Sequence, residues 1–363
     1  MLVTLAWVIT STTVAQALSW SVEWVRTLPH GPWMVRGAGA AAVLAAVVSV
    51  TRTGTAALLD DAPTRRFGLA AFWGADGSWA LWWARLAELG AIVVGGYLAG
   101  LVVATSLARR PRREESRAQI RRWPRRPDPT SDLTALVHGD RASVWRSVPL
   151  RRGAAVLAVL PGAVAAFGRL PWETMPVLPG LVASGAALLF GVNAWCLDGP
   201  GAWWRESLPA HPGQLLLARA IVLTETVAAP MVLALVLAVS RARTAPDPDQ
   251  VLALACSTVV ITGQVVSRSL DWAVRRPYAA DLRGARATPA PPGVLAGYSA
   301  RLAVTTTATG IAYGACGVTG RADLALALSL VLALVIARRA RLTARRWDDP
   351  EVRSRVVAVV ARS

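Results

Sequence analysis

The chain has 363 residues, 54% of them hydrophobic, a mean hydropathy of +0.43 and a formal net charge of +17. A soluble chain of that length spreads its apolar residues at helix or strand period. Here they gather into long charge-poor runs that in water would expose large apolar patches and aggregate. All of the positive charge is arginine, for the sequence has no lysine, which excludes a Walker A loop because that loop needs a lysine to reach nucleotide phosphates.

About nine apolar runs approach the length needed to cross a bilayer. They are Leu2–Trp20, Val35–Val50, Leu86–Ala108, Gly153–Phe167, Leu178–Leu197, Leu215–Val239, Val251–Ser267, Tyr298–Val318 and Leu324–Ala337. The expected fold is all-α, a polytopic transmembrane helix bundle. The first run has no basic residues before it and no clear cleavage site, so it reads as a retained span rather than a signal peptide. Four regions follow: residues 1–108 with about three spans, a linker over 109–131, a six-span core over 132–338, and a basic tail over 339–363.

The linker carries Arg109, Arg110, Arg112, Arg113, Arg121, Arg122, Arg125 and Arg126, interleaved with Pro124, Pro127 and Pro129. Like charge and proline both oppose a packed helix, so the stretch reads as solvated. Arginine clusters beside apolar runs follow the positive-inside rule, so the lipid bilayer rather than nucleic acid is the expected partner of this charge. The rule puts the linker and the tail in the cytoplasm of a bacterial cell, with the C-terminus inside. Six spans join them, leaving Arg275, Arg276, Arg283 and Arg286 inside and only Arg169, Arg241, Arg243 and Arg321 outside. The N-terminal part fits less well, because Arg52, Arg65 and Arg66 fall outside.

Before the fourth span, Leu133, Leu136, Val137, Val144 and Val148 recur near helical period behind a capping Ser131 or Asp132. That pattern predicts an amphipathic helix along the inner leaflet. After the fifth span, Asp198 and Gly199 make a turn and Pro200 opens a short helix. Trp203, Trp204 and Leu208 form its aromatic-apolar face, while Arg205 and Glu206 point elsewhere. Such a face suits lipid headgroups or a partner's groove.

This arrangement resembles the intracellular loop of ABC-2-type transporter permeases. The likeness rests on two long runs separated by Asp-Gly, a short aromatic helix, Ser-Leu-Pro and Leu-Leu-Leu-Ala-Arg. The amphipathic helix, the six runs and the segment Leu342–Pro350 carry it over about residues 132–350. The resemblance implies the membrane subunit of an exporter that forms the translocation path and contains no ATPase of its own. The 198–208 loop would then be a coupling helix on a separate ABC ATPase, and a second permease copy would complete the path. The segment 72–85, with Asp76-Gly77 and Trp82-Trp83, echoes Asp198-Gly199 and Trp203-Trp204 weakly.

Ionisable residues inside a membrane are costly and are therefore candidates for function. Glu225, expected near the middle of the sixth span, is predicted to pair with Arg268 or Arg301. With Gln264 these three form a candidate translocation path, or alternatively hold the bundle together. His30, His138 and His211 are separated, and Cys196, Cys256 and Cys316 lie in apolar runs without ligand spacing, so neither a metal nor a cofactor is expected. Two other readings stand beside the permease: a non-catalytic membrane scaffold, and a transferase whose Asp198, Asp281 and Glu206 would have to converge on a metal.

Overall fold

The protein is described here by a computed structural model of residues 2–31, 33–42, 45, 73–74, 76–109, 129–242, 244–280 and 289–362. Most of the linker, much of the second apolar run, Asp281 and several loop arginines lie outside the described residues. Among those described, every regular element is helical. The chain divides into two compact units, Met1–Arg113 and Glu114–Ser363.

The first unit pairs α1 (Leu2–Arg26) with α2 (Trp79–Ala108). Small residues allow the helices to approach. A Cβ at Gly96 would lie 3.3 Å from the Thr13 methyl, and one at Gly100 3.7 Å from Ala17. Arg85 pairs with Glu88 one turn on, which neutralises the only charges in the first turns of α2. The echo segment ends in the same backbone device as its counterpart, with Gly77 at φ 75° and Gly199 at φ 48°. That left-handed conformation is open to glycine at little cost.

The second unit begins with α3 (Asp132–Arg146), capped by Ser131, whose Oγ accepts the Thr134 N–H at 3.3 Å while Thr134 Oγ1 accepts the Ser131 N–H at 3.0 Å. It continues through α4 (Val148–Phe167), α5 (Leu178–Leu189), α6 (Gly201–Glu206), α7 (Pro212–Val239), α8 (Pro248–Arg275), α9 (Pro292–Val318), α10 (Ala322–Asp348) and α11 (Pro350–Val360). Prolines at the start of α7, α8, α9 and α11 are local causes of those boundaries, since the first turn has no use for the missing N–H.

Among the described residues, four helices are long and apolar enough to cross a membrane: α2, α4, α7 and α8. The fifth run differs from the sequence expectation. Its helix stops at Leu189, and the chain turns through Phe190 (φ −140°, ψ −41°) into a short 3-10 turn at Gly191–Asn193. Buried Asn193 holds this break by donating to the carbonyls of Tyr278 and Pro289 at 2.7 and 3.0 Å. At the C-terminal end α10 runs without interruption to Asp348, and α11 then folds back with Val356, Val357 and Val360 buried.

Close approach of backbones organises the bundle, as small residues allow in membranes. A Cβ at Gly162 of α4 would lie 2.5 Å from the Ala234 carbonyl of α7. Ten residues on in both segments, Trp172 Nε1 donates to the Thr244 carbonyl at 2.9 Å. The two helices therefore run parallel and in step, which puts Val148, where α4 begins, level with about Ala220. On the other side, Gly310 and Gly314 of α9 leave room for the carbonyls of Pro176 and Glu173, and Gly180 meets Thr306.

Candidate functional site

The candidate site is the segment after the helix break, together with what holds it. Asp198 follows the buried Trp195 and Cys196, and Gly199 turns the chain into the six-residue α6. Ala202 is buried beneath that helix, whereas Trp203 and Trp204 are 58% and 69% exposed. Leu208 is partly buried, so the expected aromatic face consists of the two tryptophans.

Arg205 and Glu206 do point elsewhere, each onto a partner from another helix. Arg205 makes a forked pair with Asp140 of α3, Nη2 to Oδ2 at 3.1 Å, and its Nη1 also lies 3.4 Å from Asp198 Oδ1. Asp198 in turn receives Arg219 Nη2 from α7 at 2.7 Å on both carboxylate oxygens. Arg219 is fully buried, Asp140 nearly so, and the guanidinium lies 4.9 Å over the Trp195 ring and 5.8 Å over Phe190. Two acids and two arginines thus form a balanced network joining α3, the 198–206 segment and α7. Desolvating each ion costs several kcal/mol, which is offset only where geometry and additional contacts are good. Here the fork, the shared carboxylates and the two aromatic faces supply part of those contacts, while Arg205 Nε, Arg219 Nε and Arg219 Nη1 are buried without a hydrogen-bond partner.

A second set of contacts closes the segment from the C-terminal side. Trp347 stacks on Trp195 with centroids 4.3 Å apart and rings 4° from parallel, and its Nε1 donates to the Pro212 carbonyl at 3.0 Å. Arg353 of α11 donates to Glu206 Oε1 at 3.0 Å and to the carbonyls of Trp347 and Asp348. Between α3 and residues 197–210 lies a cleft of about 480 Å³, edged by Trp204, Leu208 and Asp132.

The expected path residues are not brought together as predicted. Glu225 pairs with Arg141 of α3, Nε to Oε2 at 2.7 Å with a second contact alongside, and not with Arg268 or Arg301. The reason is depth: α4 starts level with about Ala220, so Glu225 lies only about five residues, ~8 Å, inside that level, where the end of α3 can reach it. The carboxylate holds the Arg141 guanidinium above its ordinary pKa by accepting its hydrogen bonds. Gln264 bonds Thr309 of α9 at 3.2 Å. Arg301 lies 5.3 Å over the Trp272 ring, and Arg268 has a buried Nε without a hydrogen-bond partner. Since both side chains of the Arg141–Glu225 pair are about two-fifths exposed, a double-mutant cycle of Arg141→Gln and Glu225→Gln should return a coupling of only about 1 kcal/mol. Thermal unfolding in a lipid nanodisc measures it.

The transferase reading needs Asp281, which lies outside the described residues; among those described, Asp198 and Glu206 are each engaged by an arginine and no three His, Cys, Asp or Glu gather. Sequence reasoning missed Asp140, Arg219, Trp195, Trp347 and Arg353. Two of them carried a signal. Arg219 is an ionisable residue inside the sixth apolar run, as Glu225 is. Asp140 interrupts the apolar stripe of α3, three residues after Val137 and four before Val144.

Among the described residues, four apolar helices of spanning length in an all-helical bundle are, by length and composition, those of an α-helical membrane protein. Comparison with protein-family models, with curated proteins and with solved structures gives no match.

Proposed function

We propose that the protein is the membrane-spanning permease subunit of an ABC-type exporter, with α6 as the element that couples it to a separate ATPase. In this reading the six-span core is α4, α5, α7, α8, α9 and α10, the shorter or more polar helices counting as spans beside the apolar ones. The arginine-rich ends of α8 and α10 share one end of the bundle with α6, and the positive-inside rule makes that end cytoplasmic in the cell membrane. A second permease copy completes the path.

The observation that carries the reading is the mounting of α6. Two adjacent tryptophans are exposed on a helix of six residues whose other side is bound by Asp140 and Arg353, while Asp198, just before the helix, is held by Arg219. Exposed tryptophans on a rigid support are the residues that dominate docking energies. The network explains how a push on α6 reaches the spans. Arg205 and Asp198 connect it to α3 and α7 through short charged contacts, so α6 does not yield independently of them.

The test is co-purification from detergent with candidate ATPases, beside a variant carrying Trp203→Ala and Trp204→Ala. The expected result is capture of a P-loop ATPase by the native protein and at least about tenfold weaker capture by the variant, since each hot-spot tryptophan contributes ~2 kcal/mol or more. Equal capture by both would detach the ATPase from α6. Absence of any ATPase from native membranes would leave the scaffold reading in its place.

A further inference from the structure

A groove of about 710 Å³ runs between α7, α8 and α10, away from the 198–208 segment. That volume lies within the range of small-molecule sites, about 300–1,000 Å³. None of the residues lining it is ionisable. Four of its hydroxyl groups are turned back into their own helices: Thr224 donates to the Ala220 carbonyl, Thr258 to Leu254, Thr262 to Thr258 and Ser267 to Gln264, at 2.7–3.1 Å, and the fifth, Thr343, donates to Asp271 of α8 at 3.4 Å. A surface whose hydroxyl hydrogens are already committed offers an incoming ligand hydrocarbon contact and little else.

The two ends differ. At one end the lining reaches Gly213, Leu270, Thr343 and Ala344. Arg341 and Arg345, one turn apart on α10, are exposed beside that end, about 100° round the helix from the lining Ala340 and Ala344, and Arg346 and Arg275 gather on Asp271 beside Leu270. At the other end the groove closes at Met231, Val232 and Val259, with no charge among its lining residues. From the level of Ala220 to Val232 it descends twelve residues, ~18 Å along the helix. One leaflet of the hydrocarbon core is ~15 Å deep. A transmembrane helix of a second copy would require a groove through the whole core. This one ends near the middle.

We propose that the groove is a binding site for one anionic phospholipid of the cytoplasmic leaflet, its acyl chain lying against Ala220, Ala228 and Gly263 and its phosphate at Arg341 and Arg345. The site rests on the membrane reading of the chain but not on the permease reading. A docked ATPase is not needed for it. By its position against α7 and α10, the lipid would brace the two helices that carry Arg219 and Trp347.

The test uses the full chain in phosphatidylcholine vesicles doped with either phosphatidylglycerol or phosphatidylcholine carrying a diazirine in the acyl chain, with crosslinks located by peptide mass spectrometry. Labelling should concentrate on the groove-lining faces of α7, α8 and α10 and be about fivefold stronger with phosphatidylglycerol. Filling the groove with Ala220→Phe and Ala228→Phe should lower labelling there about tenfold and leave labelling of α2 unchanged. The pair Arg341→Gln and Arg345→Gln should remove the headgroup preference while tail labelling remains. Should the filled variant fail to fold, judged by size exclusion and helical circular dichroism, the arginine pair alone decides. Preference lost supports the site, and preference kept overturns it. Even labelling of all lipid-facing helices, or labelling indifferent to the fill, would overturn it.

Discussion

Replacing Arg219 by Met should lower stability by about 3–5 kcal/mol, the cost of leaving a buried charge without its partner. For a unit of this size that is a fall of roughly 10 °C in Tm, read by scanning fluorimetry in detergent. Arg219 is fully buried, and its Nη2 meets both oxygens of Asp198 at 2.7 Å. Methionine fills much of the same volume and keeps contact with Trp195 and Phe190, so the loss isolates the charge rather than the packing. Asp198 retains only the longer 3.4 Å approach of Arg205, which is already engaged by Asp140. The double variant Arg219→Met with Asp198→Asn removes both members, and it should recover at least half of the lost stability. If the single variant matches the native protein in Tm, the network does not hold α7 to the 198–206 segment.

Trp347→Ala should be nearly as damaging, about 3–5 kcal/mol for the loss of a large buried aromatic, but its effect should be local in a way the first is not. Trp347 is 2% exposed, stacks on Trp195 and donates to the Pro212 carbonyl. Removing it deprives α11 of its seat and leaves Arg353–Glu206 as the main tie between α11 and α6. Hydrogen exchange should therefore rise by about tenfold or more over residues 199–212 and 350–360, with little change in α8 and α9. Uniform loosening of the whole unit would mean that Trp347 is a core residue like any other and that α11 has no separate role in holding α6. If α6 is the docking helix, the same variant should also weaken ATPase capture while leaving both exposed tryptophans in place.

Much of the architecture was legible in the residues because its causes are local. The start of α3 follows from Ser131, which acts within one turn. The turn at Asp198-Gly199 follows from glycine's access to positive φ. The exposure of Trp203 and Trp204 follows from a helix too short to bury two sides. The apolar runs of α4, α7 and α8 follow from composition alone.

What composition and period could not show was depth and partnership. Glu225 reads as mid-span when its run is counted from Leu215, because periodicity carries no information on where a neighbouring helix begins. Only the step between Gly162 and Ala234 puts it near the start of α4, within reach of Arg141. The helix break after Leu189 was hidden because Phe190, Val192 and Trp195 are as apolar as the run before them, and its cause is the distant pair of carbonyls that Asn193 reaches. The basic tail gave no sign in its composition of a packed segment, yet Trp347, Val356 and Val357 are buried by contacts with elements over a hundred residues earlier. By itself the sequence determined the class of protein, a helical bundle suited to a bilayer, since hydrophobic run length answers to membrane thickness. Tertiary structure alone decided which charges meet, because an ion pair is settled by the placement of two backbones, and neither residue encodes the position of the other.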